Sequence, residues 1–318
     1  MPNAGSAKIA ISFDLEMSTN FPTWDQTWDL RKGDLDGPTK DYALRVARRV
    51  KERGGLMHFF AVGRVFEQDD IDWLKEIVAL GHPVGNHSYH HVYVLAHTIP
   101  ELQHTYAKWP WRAAGRTPAE VIAHEVAMTS EAIRQRLGIE PAGFRTPGGF
   151  AAGLSGREDV QTLLLDQGFT WVSSQYAGVA ELPGGPEPRT LSADQLRAVA
   201  AAQTKSQPFL YPTGLAEVPM SPLSDIHAFR AAKIELPDFL RAIETGVRTV
   251  IETGGVFDFL AHPSCLVARD PHLRAVDSIM DLVEGSRGRA ALIDLGAIAA
   301  DVQAKHAPRG VEPAASRQ

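Results

Sequence analysis

Short apolar runs alternate with helix-patterned segments along nearly the whole chain, and this rhythm limits what it can fold into more than any other feature. Ala7–Phe13 (AKIAISF) reads as a strand, and Asp41–Arg53 (DYALRVARRVKER) as a helix that Gly54 and Gly55 stop. Strands follow over Leu56–Val62, Pro83–Asn86, Ala142–Arg145, Phe169–Ser173, Phe209–Val218, Val256–Leu260 and Ala290–Leu295. Helices are expected over Ile71–Leu80, Pro118–Leu137, Val160–Gln167, Pro237–Thr253 and Leu273–Glu284. Repeated β-α steps imply parallel strands, because each helix returns the chain to the same end of the sheet. The expected class is therefore α/β, an irregular, TIM-like (β/α) barrel of about seven or eight units. A doubly wound open sheet is the alternative, but no GxGxxG follows the first strand.

A chain of 318 residues can bury a large core, and one domain over residues 1–310 is expected. Two stretches rich in Pro, Gly or Trp, at about 97–116 and 177–207, break the rhythm and read as insertions that shape a cleft. The polar end at 311–318 has no apolar face to bury and reads as a flexible tail.

The net charge of -6 comes without a long basic run, so no phosphate-neutralising surface is visible and nucleic acid is not an expected partner. No apolar span is long enough to cross a membrane, and the first residues are too short in apolar content for an export signal, so a cytoplasmic location is expected. The single Cys265 excludes an intramolecular disulfide and a multi-cysteine zinc site. A metal here would have to be held by histidines and carboxylates.

In a barrel of this kind the functional residues sit where strands end. The first strand ends in FDLE, with Asp14 and Glu16 on one face of extended chain, so that one could ligate a metal while the other takes a proton. A capping or turn role fits that pair equally well. The third strand runs into NHSYHH, where an i, i+4 helical spacing would bring His87 and His91 onto one ion and turn His90 away. A solvent-exposed histidine-rich turn is the plain alternative, and His82, at the other end of that strand, reads as structural or exposed. The fourth strand reaches FRTPGG with Arg145, the fifth carries Trp171, and FDFLAHP ends at His262.

Taken in order, these pieces resemble the polysaccharide deacetylases, the carbohydrate esterases with a NodB-like domain. Phe13-Asp14-Leu15-Glu16 stands where that family has its acidic motif. His87-Ser88-Tyr89-His90-His91 matches H[ST]xxH, and Arg145-Thr146-Pro147-Gly148-Gly149 matches RxPxG. Leu260-Ala261-His262 is one residue shorter than LxxH. The resemblance implies a divalent ion, zinc above cobalt, nickel or manganese, held by Glu16, His87 and His91. It implies Asp14 as base and His262 as acid in the hydrolysis of an acetamide, where the ion polarises the carbonyl and activates water. Arg145 would orient the base, while Trp171, Pro147 and Gly148 would line the substrate pocket. The acetylated substrate would be an N-acetylated sugar or polysaccharide.

Two departures from the family pattern stand out. Leu15 separates two acids that are usually adjacent, which leaves the order of ligand and base open, and Val172 stands where the family often has an aspartate. The lack of an export signal resembles the cytoplasmic branch with allantoinase-like hydrolases and small-sugar deacetylases. Hydrolysis of a small cyclic amide or of an O-acetyl ester therefore remains open, as does a sugar-binding relative without chemistry. Self-association into a homo-oligomer is a further expectation from that branch.

Overall fold

The computed structural model describes residues 6–19, 29–182, 184–185 and 190–306; the tail expected at 311–318 lies outside them. Among the described residues nine strands form one sheet: β1 (Ala7–Leu15), β2 (His58–Ala61), β3 (Val84–Asn86), β4 (Phe144–Phe150), β5 (Trp171–Gln175), β6 (Phe209–Leu210), β7 (Ala216–Glu217), β8 (Val256–Ala261) and β9 (Ala290–Leu292). Their order is β6-β7-β5-β4-β3-β2-β1-β8, with β9 also on β1. All pairs are parallel except β6 with β7. The sheet curls into an irregular barrel with an incomplete seam. Between the β7 end and β8 the described backbone makes a single bond, from Ser221 N to Asp258 O at 2.9 Å.

The helices are α1 (Gly37–Glu52), α2 (Asp72–Ala79), α3 (Ile99–Leu102), α4 (His104–Lys108), α5 (Pro118–Leu137), α6 (Glu158–Asp166), α7 (Ala193–Lys205), α8 (Leu236–Thr253), α9 (Pro263–Arg269), α10 (Arg274–Gly285) and α11 (Leu295–His306). Local chemistry sets several of their ends. Asp36 accepts from Thr39 N at the start of α1, Thr117 and Glu120 form a capping box at α5, and Gly138 closes α5 in the left-handed region. β1 is buried along almost its whole length, as expected for a strand with neighbours on both edges and helices outside it.

Three sequence expectations need correction. The run Phe209–Val218 is not one strand: Tyr211 N bonds Leu215 O, and the chain turns back on itself between β6 and β7. Pro212 and Gly214 fall in that bend, where they favour a turn over an extended run. The supposed irregular insertion at 177–207 contains a capped helix, α7, packed on α8. Its alanine-rich sequence has high helix propensity but little apolar periodicity to announce it. The chain after β9 also continues into α11, not expected from sequence.

α11 decides which end of the barrel is open. Leu295, Ile298, Ala299 and Val302 form one buried cluster with Ala10, Phe60, Trp171, Ala216 and Val218, so the helix plugs the N-terminal mouth. The strands' C-terminal ends remain for chemistry.

The β5–β7 side is tied by a buried carboxylate. Glu217 accepts from Ser174 N and Gln175 N at 2.7 and 2.9 Å, and from the Ser174 and Tyr211 hydroxyls at 2.5 and 2.7 Å. Glu217→Leu would strand two backbone N–H groups and two hydroxyls and is expected to cost about 3–5 kcal/mol in chemical denaturation. Glu217→Gln should recover most of that loss, since hydroxyls can accept from an amide N–H as well as donate to its oxygen.

Candidate active site

Arg145 is fully buried on the barrel axis, and it organises the acidic side chains around it. Its Nη1 donates to Asp14 Oδ1 at 3.1 Å and to Ser12 Oγ at 2.7 Å, and its Nη2 donates to Asp258 Oδ2 at 2.6 Å and to Ser173 Oγ at 3.1 Å. The guanidinium lies 4.4 Å from the centre of the Phe60 ring, which in turn stacks on His58 at 4.6 Å. Burial pushes the Asp258 carboxyl up while Arg145 pulls against it, and burial takes His58 down to about 3, so this imidazole is neutral. Such packing leaves no room below: a Cβ on Gly85 would lie 2.6 Å from the Phe60 ring, and one on Gly143 would lie 2.1 Å from Trp171.

His87 and His91 converge, but not through a helical turn. The segment after β3 is a loop in which Ser88 and His91 both take left-handed conformations, with φ of 55° and 62°. Hydrogen bonds impose that shape: Asn86 Oδ1 accepts from Ser88 N, Ser88 Oγ accepts from Val92 N, Gly63 N donates to Ser88 O, and His87 N to Ala61 O. Non-glycine residues in this region are strained and persist when their surroundings over-determine them. His90 is turned into the α5 side, where its N and Nδ1 donate to Glu125 at 2.7 and 2.8 Å. His82 is a structural group, accepting from Met57 N and donating to Ala47 O.

Glu16 completes the group. Its Oε2 lies 3.3 Å from His87 Nε2 and 2.5 Å from His91 Nε2. Within the described residues this triplet is the candidate metal-holding group, with ligand atoms inside 4.8 Å of one another. The donor chemistry fits a divalent cation. His87 Nδ1 faces the Arg145 carbonyl at 2.9 Å, and a carbonyl only accepts, so Nδ1 carries the proton and the Nε2 lone pair points at a carboxylate oxygen. A cation between them would relieve that opposition. Burial pulls His91 down to about 4, with Glu16 opposing, which leaves it in the neutral form that ligates metals. Burial acts to raise Glu16, but His91 and the Lys32 ammonium outweigh it and hold Glu16 well below the usual carboxylate range.

His262 stands across the cavity, its Nε2 at 3.5 Å from Glu16 Oε1 and 3.9 Å from Asp14 Oδ2. Its Nδ1 donates to Asp225 Oδ1 at 2.8 Å and its backbone N to Asp225 Oδ2 at 2.8 Å. Burial disfavours the imidazolium, yet Asp225, with Glu16 and Asp14 behind it, raises the His262 pKa overall.

These groups share a cavity of about 180 Å³, whose remaining wall is Met17, Thr146, Gly148, Gly149, Tyr176, Met220, Ser224, Ile226 and Leu260. Gly148 lies in the cavity wall, whereas Pro147 is buried beside it and is not part of the wall. Trp171 is misplaced in the sequence reading: it is the first residue of β5, at the plugged end, and packs on His58, Phe60 and α11. Tyr176, just after β5, is the aromatic wall instead.

The sequence profile of the family described as polysaccharide deacetylase matches residues 8–167, half of the chain. The chain belongs to the polysaccharide deacetylase family. Among curated proteins none matches this polysaccharide deacetylase family member. A crystal structure from Mycobacterium smegmatis, assigned as a polysaccharide deacetylase, superposes with a TM-score of 0.60 at 17% identity, covering 98% of this chain and 96% of that one. Another with the same assignment, from Pseudomonas aeruginosa PAO1, has a TM-score of 0.60 at 12% identity, covering 95% and 93%. At such identities the likeness carries the fold.

Three functional neighbours escaped the sequence reading. Asp258 meets Arg145 from β8, whereas Val172 packs in an outer apolar cluster and leaves Ser173 as the β5 side chain that reaches the guanidinium; the signal for Asp258 was an acid inside the apolar run VFDFLA, on the same face as Leu260 and His262. Asp225 opens the short helical segment that continues through His227–Ala231, Lys32 lies in a turn, and neither position carries a pattern that marks it.

Arg145→Met would leave Asp14 and Asp258 as buried carboxylates without their cation and is expected to cost about 3–5 kcal/mol in a denaturant titration. Adding Asp258→Asn to that variant should return part of the loss, because one stranded charge is removed.

Proposed function

We propose that this polysaccharide deacetylase family member is a metal-dependent hydrolase that removes the acetyl group from an N-acetylated sugar. The observation that carries this reading is that two titratable side chains border the Glu16, His87 and His91 triplet, with Asp14 Oδ2 at 3.7 Å from His87 Nε2 and His262 Nε2 at 3.5 Å from Glu16 Oε1. When bound by that triplet, a divalent ion, zinc by preference, would polarise the acetamide carbonyl and make water a stronger nucleophile.

The chain's own groups supply the rest. Arg145 fixes Asp14 Oδ1, so that Oδ2, 3.7 Å from His87 Nε2, is turned toward the triplet and can take a proton from water. As the C–N bond breaks, His262 gives the proton on Nε2 to the departing amine, while its Nδ1–H stays on Asp225. Acetate and the free amine leave. Met17, Met220, Ile226 and Leu260 give the cavity apolar lining, which suits an acyl methyl.

A second reading is supported by the same wall. A cavity of about 180 Å³ with a largely apolar lining also fits a compact cyclic amide, whose C–N bond the same groups would open.

Acetate release from N-acetylated chitooligomers, and ring opening of cyclic ureides, measured on one zinc-loaded preparation, separate the two. Asp14→Asn should lower turnover by about 10²–10⁴-fold with zinc content unchanged, and His87→Ala should lose the metal. Zinc content unaffected by His87→Ala, or full activity in Asp14→Asn, would overturn the reading; silence of the loaded enzyme on every acetylated substrate would remove the deacetylase form of it.

A further inference from the structure

A fully buried lysine reaches into the ligand triplet from outside every motif of the site. Lys32 is 0% exposed, and its Nζ lies 2.7 Å from Glu16 Oε1 and 3.4 Å from His91 Nε2. The turn that delivers it is pinned on several sides. Gly33 N donates to Glu16 O at 2.8 Å, Gln68 donates to Gly33 O at 2.9 Å, and Arg64 donates to Leu30 O at 2.6 Å. Gly33 has φ of 86°, and a Cβ there would sit 2.4 Å from the Arg64 Cβ, so only glycine lets the turn press this close.

Taking an ammonium out of water costs several kcal/mol and is sustained only by a partner charge. Among the described residues Glu16, one member of the metal-holding triplet, supplies such a charge at 2.7 Å. Lys32 therefore does two things at once. It occupies Glu16 Oε1, leaving Oε2 as the oxygen that faces both histidines, and it places a positive charge beside the position of a dication.

We propose that Lys32 is a positioning residue and built-in counter-cation of Glu16, which makes the site hold a divalent ion less tightly than its three ligands alone would. The proposal rests on the metal reading of Glu16, His87 and His91. Its physical basis is like-charge repulsion at short range in a buried setting, added to the loss of uncompensated charge on the carboxylate. A second consequence concerns the metal-free protein, in which Lys32 compensates the Glu16 carboxylate and permits its burial.

The test compares wild type, Lys32→Met, Lys32→Gln and Lys32→Arg by competition for Zn²⁺ against a chromophoric chelator, with zinc-induced shifts in melting temperature as a second readout. Lys32→Met and Lys32→Gln should bind Zn²⁺ at least about tenfold more tightly than wild type, and zinc should raise their melting temperatures by more. Lys32→Arg, which keeps the charge, should stay near wild type. Adding His87→Ala to Lys32→Met should abolish the gain, placing the ion in this site. Lys32→Gln retains a hydrogen-bond donor to Glu16 and serves if Lys32→Met does not fold. Equal or weaker zinc binding in the neutral variants, with wild type binding zinc, overturns the inference alone. Lys32→Arg binding as tightly as Lys32→Met also overturns it, because charge would then not be the cause. If no variant and no wild-type protein takes up zinc, the metal reading falls and the inference falls with it.

Discussion

The buried guanidinium of Arg145 is the interaction on which the rest of the molecule turns. A cation on the axis of a parallel barrel is tolerable only if carboxylates from other strands reach it, and Asp14 on β1 and Asp258 on β8 do so from adjacent strands. Phe60 beneath it offers a ring face to the charge. The pairing ties three strands at the level where chemistry begins. Its carbonyl does further work: Arg145 O accepts from His87 Nδ1 and so sets which nitrogen of that imidazole faces Glu16. One residue thus links the core of the barrel, the orientation of Asp14 and the tautomer of a candidate ligand.

Around that centre the site is assembled by loops under constraint. The left-handed Ser88 and His91 are conformations that isolated sequence preferences disfavour, and they hold because Asn86, Ser88 and the β2 end use up the local backbone donors. His262 is fixed in the same manner, with both oxygens of Asp225 committed to its ring and backbone. The opposite mouth is filled by α11 and Trp171, so the apolar weight of the barrel lies at one end and its ionisable groups at the other.

Much of this was legible along the chain. The alternation of strands and helices announces a parallel α/β barrel because the two periodicities differ and each crossover needs a helix. Asp14, Glu16, His87, Arg145 and His262 each fit a cap or turn when taken singly, and could be picked out because several strands of one barrel end in such groups at the same end. Trp171 was assigned to the wrong end, since a residue near a strand does not reveal at which end of it the pocket lies. The i, i+4 spacing of His87 and His91 suggested a helix, although two residues with positive φ achieve the same convergence. Asp258 was readable in principle, as an acid on the inward face of an apolar strand, but only the curl of the sheet brings β8 beside β1 and within reach of β4's arginine.

By itself, then, the sequence determined the class of fold, the order of the strands that carry polar ends, and the family to which the motifs point, because local periodicity and short motifs are properties of neighbouring residues. Only the tertiary structure decided that Asp258 pairs with Arg145, that Asp225 holds His262, and that Lys32 lies against Glu16. Those partners come from elements separated by many residues along the chain, and the free energy that selects them is that of burying charge. It is defined only once the barrel has excluded water from its axis.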